Sequence, residues 1–182
     1  MHLELNIASV FVMAIAIAFP ASTLAQTSLH RRITQTHFSA EDEGVKSPET
    51  LPSEVMQILG EDDRVKNQIE NEEPRPAHAP QSWFSASNIQ LGPAKTNDLI
   101  VQAAGPLVGA NVVVFWIFIH QHDEWNLALM IPAHDLIVTP THFNGYRNIE
   151  TDGMTCCTIT TVRFRFDGRE YKRYFSKVED IK

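Results

Sequence analysis

The chain has 182 residues, 43% hydrophobic and 20% charged, with 15 Lys or Arg against 22 Asp or Glu and a net charge of −7. That balance argues against a general nucleic-acid binder, which needs a cation excess to neutralise phosphates. Its two cysteines are neighbours in the chain, so no disulfide framework is expected and core packing has to hold the fold.

Ile7 to Ala21 is an apolar run broken by Pro20, and the small residues Thr23 and Ala25 fit cleavage before Gln26. At roughly 15 residues the run is shorter than the ~20 of a membrane-spanning helix. Residues 1–25 are therefore expected to be an export signal, taking the protein to the periplasm or outside the cell. No stable membrane insertion is expected after cleavage. The leading segment carries no Lys or Arg, so an uncleaved membrane anchor is the alternative. Cleavage would remove one charge, Glu4, and leave 157 residues of net charge −6, enough for one domain.

Residues 26–49 mix charged and hydroxyl side chains with scattered apolar ones and no period, which predicts a disordered arm. Thr50 to Asn71 then reads as a helix. Pro52 and Glu54 suit its first turn, and Val55, Ile58, Leu59, Val65 and Ile69 share one face. Gly60 and the acidic run Glu61-Asp62-Asp63 allow a break in the middle. Three consecutive carboxylates cannot all face one cation from a helix. Residues 72–80, with three prolines, predict a stiff connection to the rest of a single domain over 50–182.

From residue 81 onward the pattern is strand. Val112 to Ile119 is wholly apolar, which suits a strand buried on both faces. Asp98-Leu-Ile-Val101, Phe115-Trp-Ile-Phe118 and Glu124-Trp125 are echoed by Asn148-Ile-Glu150, Arg163-Phe-Arg-Phe166 and Glu170-Tyr171. Two similar four-strand units are therefore expected. The first runs near Trp83–Leu91, Leu99–Ala103, Val112–His120 and Trp125–Ile131. The second runs near Leu136–Thr141, Tyr146–Thr151, Cys156–Asp167 and Glu170–Phe175. Asp167-Gly168 signals the last hairpin. The fold class expected is α+β, an amphipathic helix on a mainly antiparallel eight-strand meander.

Leu51-Pro52, Trp83-Phe84, Gly109-Ala-Asn111, Phe115-Trp116, Asn144-Gly-Tyr-Arg147 and Phe166-Asp-Gly168…Tyr171 resemble the pattern of a group of exported bacterial proteins. The resemblance spans about residues 50–175. It implies a fold and an export route and brings no activity with it. The strand units also resemble integrin-type propeller blades, but Lys95-Thr-Asn-Asp98 supplies one carboxylate where those repeats carry an Asp-rich calcium loop.

The sharpest chemical constellation is His120-Gln-His122-Asp-Glu124, with His134-Asp135 and His142 further on. An extended 120–122 would put His120 and His122 on one side, a spacing that suits zinc or copper with a third ligand. The plainer reading is a polar hairpin tip, and no cofactor is the primary expectation. No nucleophile elbow and no cysteine at a helix start appear, so no catalytic residue is assigned. Gly105 to Asn111 leads into a strand and lacks the helix N-terminus that cradles phosphate; Gly105 and Gly109 read as residues of a tight loop. Cys156 and Cys157 read as strand thiols, one in the core and one partly covered, in preference to a redox switch or a metal thiolate pair.

Arg163, Arg165, Arg169, Lys172, Arg173 and Lys177 outnumber Asp167 and Glu170 and alternate with aromatics. They, with Asn111, are the expected contact residues for a protein or envelope polymer, weighed against a merely solvated edge hairpin. The functional expectation is a non-enzymatic envelope or extracellular binding protein. A metal protein built on His120 and His122 is the alternative.

Overall fold

The computed structural model describes residues 35–93 and 97–181. The expected signal, 1–25, and the first part of the expected arm, 26–34, lie outside the described residues. Within them the fold is mainly antiparallel β with two helices. One sheet carries β2 (Phe84–Ile89), β3 (Asp98–Ala103), β4 (Val113–Gln121) and β5 (Glu124–Ala133) in that order. The other has β1 (His37–Ser39) beside β6 (Asp135–Phe143), then β7 (Tyr146–Met154), β8 (Thr158–Phe166) and β9 (Tyr171–Asp180). Helices α1 (Ser53–Gly60) and α2 (Asp63–Asn71) precede β2.

Two expectations are corrected. Eight strands in one meander become nine in two sheets, because the chain changes sheet at His134, between β5 and β6. A strand that is dry on both faces needs a layer on each side, and one open meander provides only one. The arm is also not disordered where it is described. β1 pairs with β6, Phe38 is fully buried and Val45 is buried. A three-residue strand with one apolar anchor is too short to show a period, so this docking left no mark in the sequence.

Opposite residues of antiparallel strands share a face. Ala86, Val101, Trp116 and Met130 lie in such a line on one face of the four-strand sheet. The helices meet this face: Val55, Leu59 and Val65 join the same core as Trp116. The break foreseen near Gly60 separates the two helices, and Asp62 occupies it. One Asp62 oxygen accepts the Arg64 N–H at 2.8 Å, capping α2, and the other accepts the Trp116 indole N–H at 3.1 Å. Gln102, on the opposite face, donates to the Ser39 carbonyl of β1 at 3.0 Å. Phe38, Leu136, Ile149, Phe164 and Phe166 close the core from the five-strand sheet.

Both meanders bulge near the same place. Ala128 is the extra residue on β5, opposite Ile117/Phe118, and Tyr174 is the extra residue on β9, opposite Arg163/Phe164. Pro140 lies in a wider irregularity between β6 and β7. There Arg147 donates to the carbonyls of Thr139 at 2.8 Å and Val138 at 3.0 Å. The last hairpin forms with Gly168-Arg169 at its tip, inside a pair closed by Asp167 N–H to Glu170 O, 3.0 Å. Gly168 takes a φ of 112°, which favours glycine. The Glu170 and Arg169 amides hold the Asp167 carboxyl below its ordinary range.

The two sheets are tied at one end through Asp98, which is fully buried. Its carboxylate accepts the amides of Leu91 at 3.0 Å, Gly92 at 3.2 Å and His120 at 3.4 Å. The Leu91 carbonyl in turn accepts the Arg147 amide of β7 at 2.8 Å. Tyr171 donates to the Arg147 carbonyl at 2.9 Å, and its phenol is pushed up by burial first and by Asp98 second, so it stays a donor. Phe166 fills the space between Tyr146 and Tyr171, at ring distances of 4.3 and 5.4 Å. Asp98→Ala strips an acceptor from three amides and should cost about 2–5 kcal/mol in urea denaturation. Asp98→Asn, which keeps one acceptor oxygen, should cost less.

Candidate functional site

Alternation along β8 puts Phe164 and Phe166 into the core and Arg163 and Arg165 on the outer face of the five-strand sheet. Arg163 meets Glu150 of β7 on one side and lies 4.9 Å over the Phe175 ring of β9 on the other. Arg165 lies between two aromatic rings, 3.9 Å over Tyr174 and 5.1 Å over Phe143. The bulge at Tyr174 supplies this second stack, because the extra residue turns its ring toward Arg165 instead of following strict alternation. Phe143, Tyr174 and Phe175 are all exposed.

The expected cations are not equivalent. Lys172 pairs with Glu170 at 2.6 Å and Lys177 with Glu179 at 2.7 Å. Arg165, Arg169 and Arg173 have no carboxylate partner among the described residues. Asn111 is exposed in the loop before β4, at the other end of that strand from His120, and no contact brings it to the cations. Its loop needs Gly109, where a Cβ would meet the Val112 carbonyl at 2.9 Å. Edge strand β9 is exposed along all but its first residue.

The histidines lie at the polar hairpin tip of the plainer reading, not on the extended segment that the metal alternative needs. The strand ends at Gln121, and His122 and Asp123 take left-handed φ values of 53° and 63°. His120 and His122 therefore do not project from one extended segment. The two positive angles make a tight two-residue hairpin turn. The His120 ring instead stacks on Trp125, 4.6 Å away. Among the described residues no group of three His, Cys, Asp or Glu is placed to hold a metal ion.

Cys156 and Cys157 depart from the strand reading. β7 ends at Met154, β8 begins at Thr158, and both thiols are exposed in the turn between them.

A second polar cluster has no counterpart in the sequence reading. His134 and Asp135 sit where the chain changes sheets, and the arm brings His37 and Glu41 to them. Asp135 meets His37 Nε2 at 3.3 Å and His134 Nδ1 at 3.2 Å, while Glu41 lies 3.6 Å from His134 Nε2. Burial acts to raise the Asp135 carboxyl, but the Ser39 and His134 hydrogen bonds and the two imidazoles outweigh it and hold it low. The contiguous pair His134-Asp135 was visible; residues nearly a hundred positions away were not. His142 is exposed on β6 and belongs to no such cluster.

Between the helix break and β5 lies a cavity of 560 Å³ lined by Ile58, Glu61, Asp62, Asp63, Trp116 and Met130, among others. Arg64 also lines it, its guanidinium 3.1 Å from the Met130 sulfur. Lys66 pairs with Glu61 at 2.7 Å and Asp62 is committed to the α2 cap and Trp116, so the acidic run is used structurally.

Comparison with protein-family models, curated proteins and solved structures finds no match to this chain. The candidate site is the outer face formed by Phe143, Arg165, Tyr174 and Phe175; Arg173, opposite Phe164, lies on the other face of β9 and does not join them.

The Asp135 cluster makes a pH prediction. A carboxyl held lower in the folded state stabilises the fold above its unfolded value and loses that contribution as pH falls through the folded value. The urea-midpoint gap between wild type and Asp135→Asn should shrink as pH falls below the ~3.9 of an unfolded Asp.

Proposed function

We propose that the chain is an exported, non-enzymatic binding or accessory protein of the cell envelope or extracellular space, and that it meets an acidic protein or envelope polymer. The observation that carries this is the Phe143–Arg165–Tyr174 stack beside an unpartnered edge strand. A guanidinium already held between rings loses little freedom on pairing with an anion, and its edge N–H groups remain available. Arg169, at the tip of the last hairpin, adds a second cation, and the aromatics offer apolar contact. Strand β9 also offers free backbone groups to an extended partner, while Lys172 and Lys177 discourage indiscriminate strand pairing.

The export half of the proposal rests on the apolar run and small residues before Gln26, and on the resemblance at the motifs of residues 50–175. No helix among the described residues is long and apolar enough to cross a membrane. N-terminal sequencing of protein from the native host should read from Gln26; an intact Met1 with detergent-dependent extraction would favour the anchored alternative. We also propose that the two meanders are copies of one unit, a reading that the nearly matched bulges at Ala128 and Tyr174 support.

For the binding surface, a tagged full chain recovered from its host should bring down an acidic partner that about 0.5 M salt releases. The substitution Arg165→Glu should weaken that capture at least tenfold, about 1.4 kcal/mol, without changing the thermal midpoint by more than a few degrees. Capture indifferent to the charge reversal would sink the assignment of this face. Stoichiometric zinc or copper, lost on changing His120 and His122 to Ala, would replace the proposal with the metal reading.

A further inference from the structure

The turn between β7 and β8 is Thr155-Cys156-Cys157-Thr158, and its two central residues are the only cysteines of the chain. In a strand their side chains would point to opposite faces. The turn overrides that alternation and brings the two Sγ atoms to 2.8 Å, both exposed to solvent. The threonines clasp the turn. Thr155 N–H donates to the Thr158 carbonyl at 2.9 Å, Thr158 N–H donates to the Thr155 hydroxyl at 3.1 Å, and the two hydroxyls are 2.8 Å apart. From the other side, the Ile181 amide donates to the Cys157 carbonyl at 2.8 Å, so the end of the chain braces the same turn. The thiols are thus held together at a surface tip. No metal group of three ligands includes them among the described residues.

We propose that Cys156 and Cys157 form a thiol–disulfide exchange site that closes reversibly to a vicinal disulfide with a small-molecule disulfide as oxidant. One cysteine loses its proton and its thiolate attacks a sulfur of the oxidant RSSR. A mixed protein–SR disulfide forms and RS⁻ leaves. The second cysteine, deprotonated, attacks the protein sulfur of that mixed disulfide and expels the other RS⁻. Two S–H bonds have become one S–S bond; two electrons and two protons end on two molecules of RSH. Contact between the sulfurs makes the second step intramolecular, so the mixed species is short-lived.

The ring that forms is easily reopened. Neighbouring Cα atoms across a trans peptide are about 3.8 Å apart, below the roughly 4.4–6.8 Å usual for disulfides, so closure strains the turn. A strained, exposed disulfide is a switch, not a staple. The hydrogen bond that the Cys157 thiol shares with Cys156 raises it, so its thiolate is scarce at neutral pH. Closure should therefore quicken about tenfold per pH unit between pH 6 and 8.

The test uses the reduced full chain and oxidised glutathione, read by intact mass and by maleimide labelling. The wild type should lose two hydrogen masses, accept no maleimide, hold no lasting glutathione adduct, and regain both thiols with mild dithiol reductant. Cys156→Ser and Cys157→Ser, which leave the core untouched, should each instead accumulate one stable glutathione adduct. A lasting adduct on the wild type, a disulfide-linked dimer, or two thiols still open to maleimide would each overturn the proposal.

Discussion

A fully buried carboxylate, Asp98, holds the molecule together at the end where the two sheets meet. It gathers the amides of Leu91, Gly92 and His120. A buried ion is expensive in an apolar setting unless hydrogen bonds answer it, and here the loop after β2 and the end of β4 curl to do so. That curl places the Leu91 carbonyl against the Arg147 amide of the other sheet. Tyr146, Arg147, Phe166 and Tyr171 then pack around the same spot. These belong to the Asn-Gly-Tyr-Arg and Phe-Asp-Gly…Tyr motifs. In this fold they join the two sheets.

With that joint fixed, burial sorts the rest. β4 is covered by helices on one side and by the second sheet on the other, and its apolar run becomes the middle of the core. Asp62 anchors the helix layer by serving α2 and Trp116 at once. The two outer edges of the five-strand sheet are then treated differently. The arm strand β1 covers β6, whereas β9 has no neighbour beyond it among the described residues. Polar and aromatic side chains, not backbone pairing, dress that second edge.

Charge alone describes that surface poorly. Three of its six cations are answered by carboxylates close by, two of them within two positions in the chain. What distinguishes Arg165 is position: it is stacked on both sides and has no acid beside it among the described residues. An aromatic-held guanidinium presents its donors in a fixed plane, which exposed lysines on flexible stems do not.

The sequence by itself determined much of the local structure. Period-two alternation in Val162–Phe166, the apolar run through β4 and the turn pair Asp167-Gly168 placed strands and the last hairpin, because these patterns act over a few residues. Gly60 and Asp62 located the helix break for the same reason. Only the tertiary structure decided which strands share a sheet, because the change of sheet at His134 costs one residue and has no composition of its own. It also docked Phe38 and gathered His37, Glu41, His134 and Asp135 from distant segments. At Cys156-Cys157 the backbone turned where alternation predicted extension, joining an unexpected pair, while at His122 it made the expected hairpin tip and so separated the alternative metal pair. Side-chain proximity at a turn depends on backbone angles that residue types only bias, and those angles are settled by how the flanking strands pair.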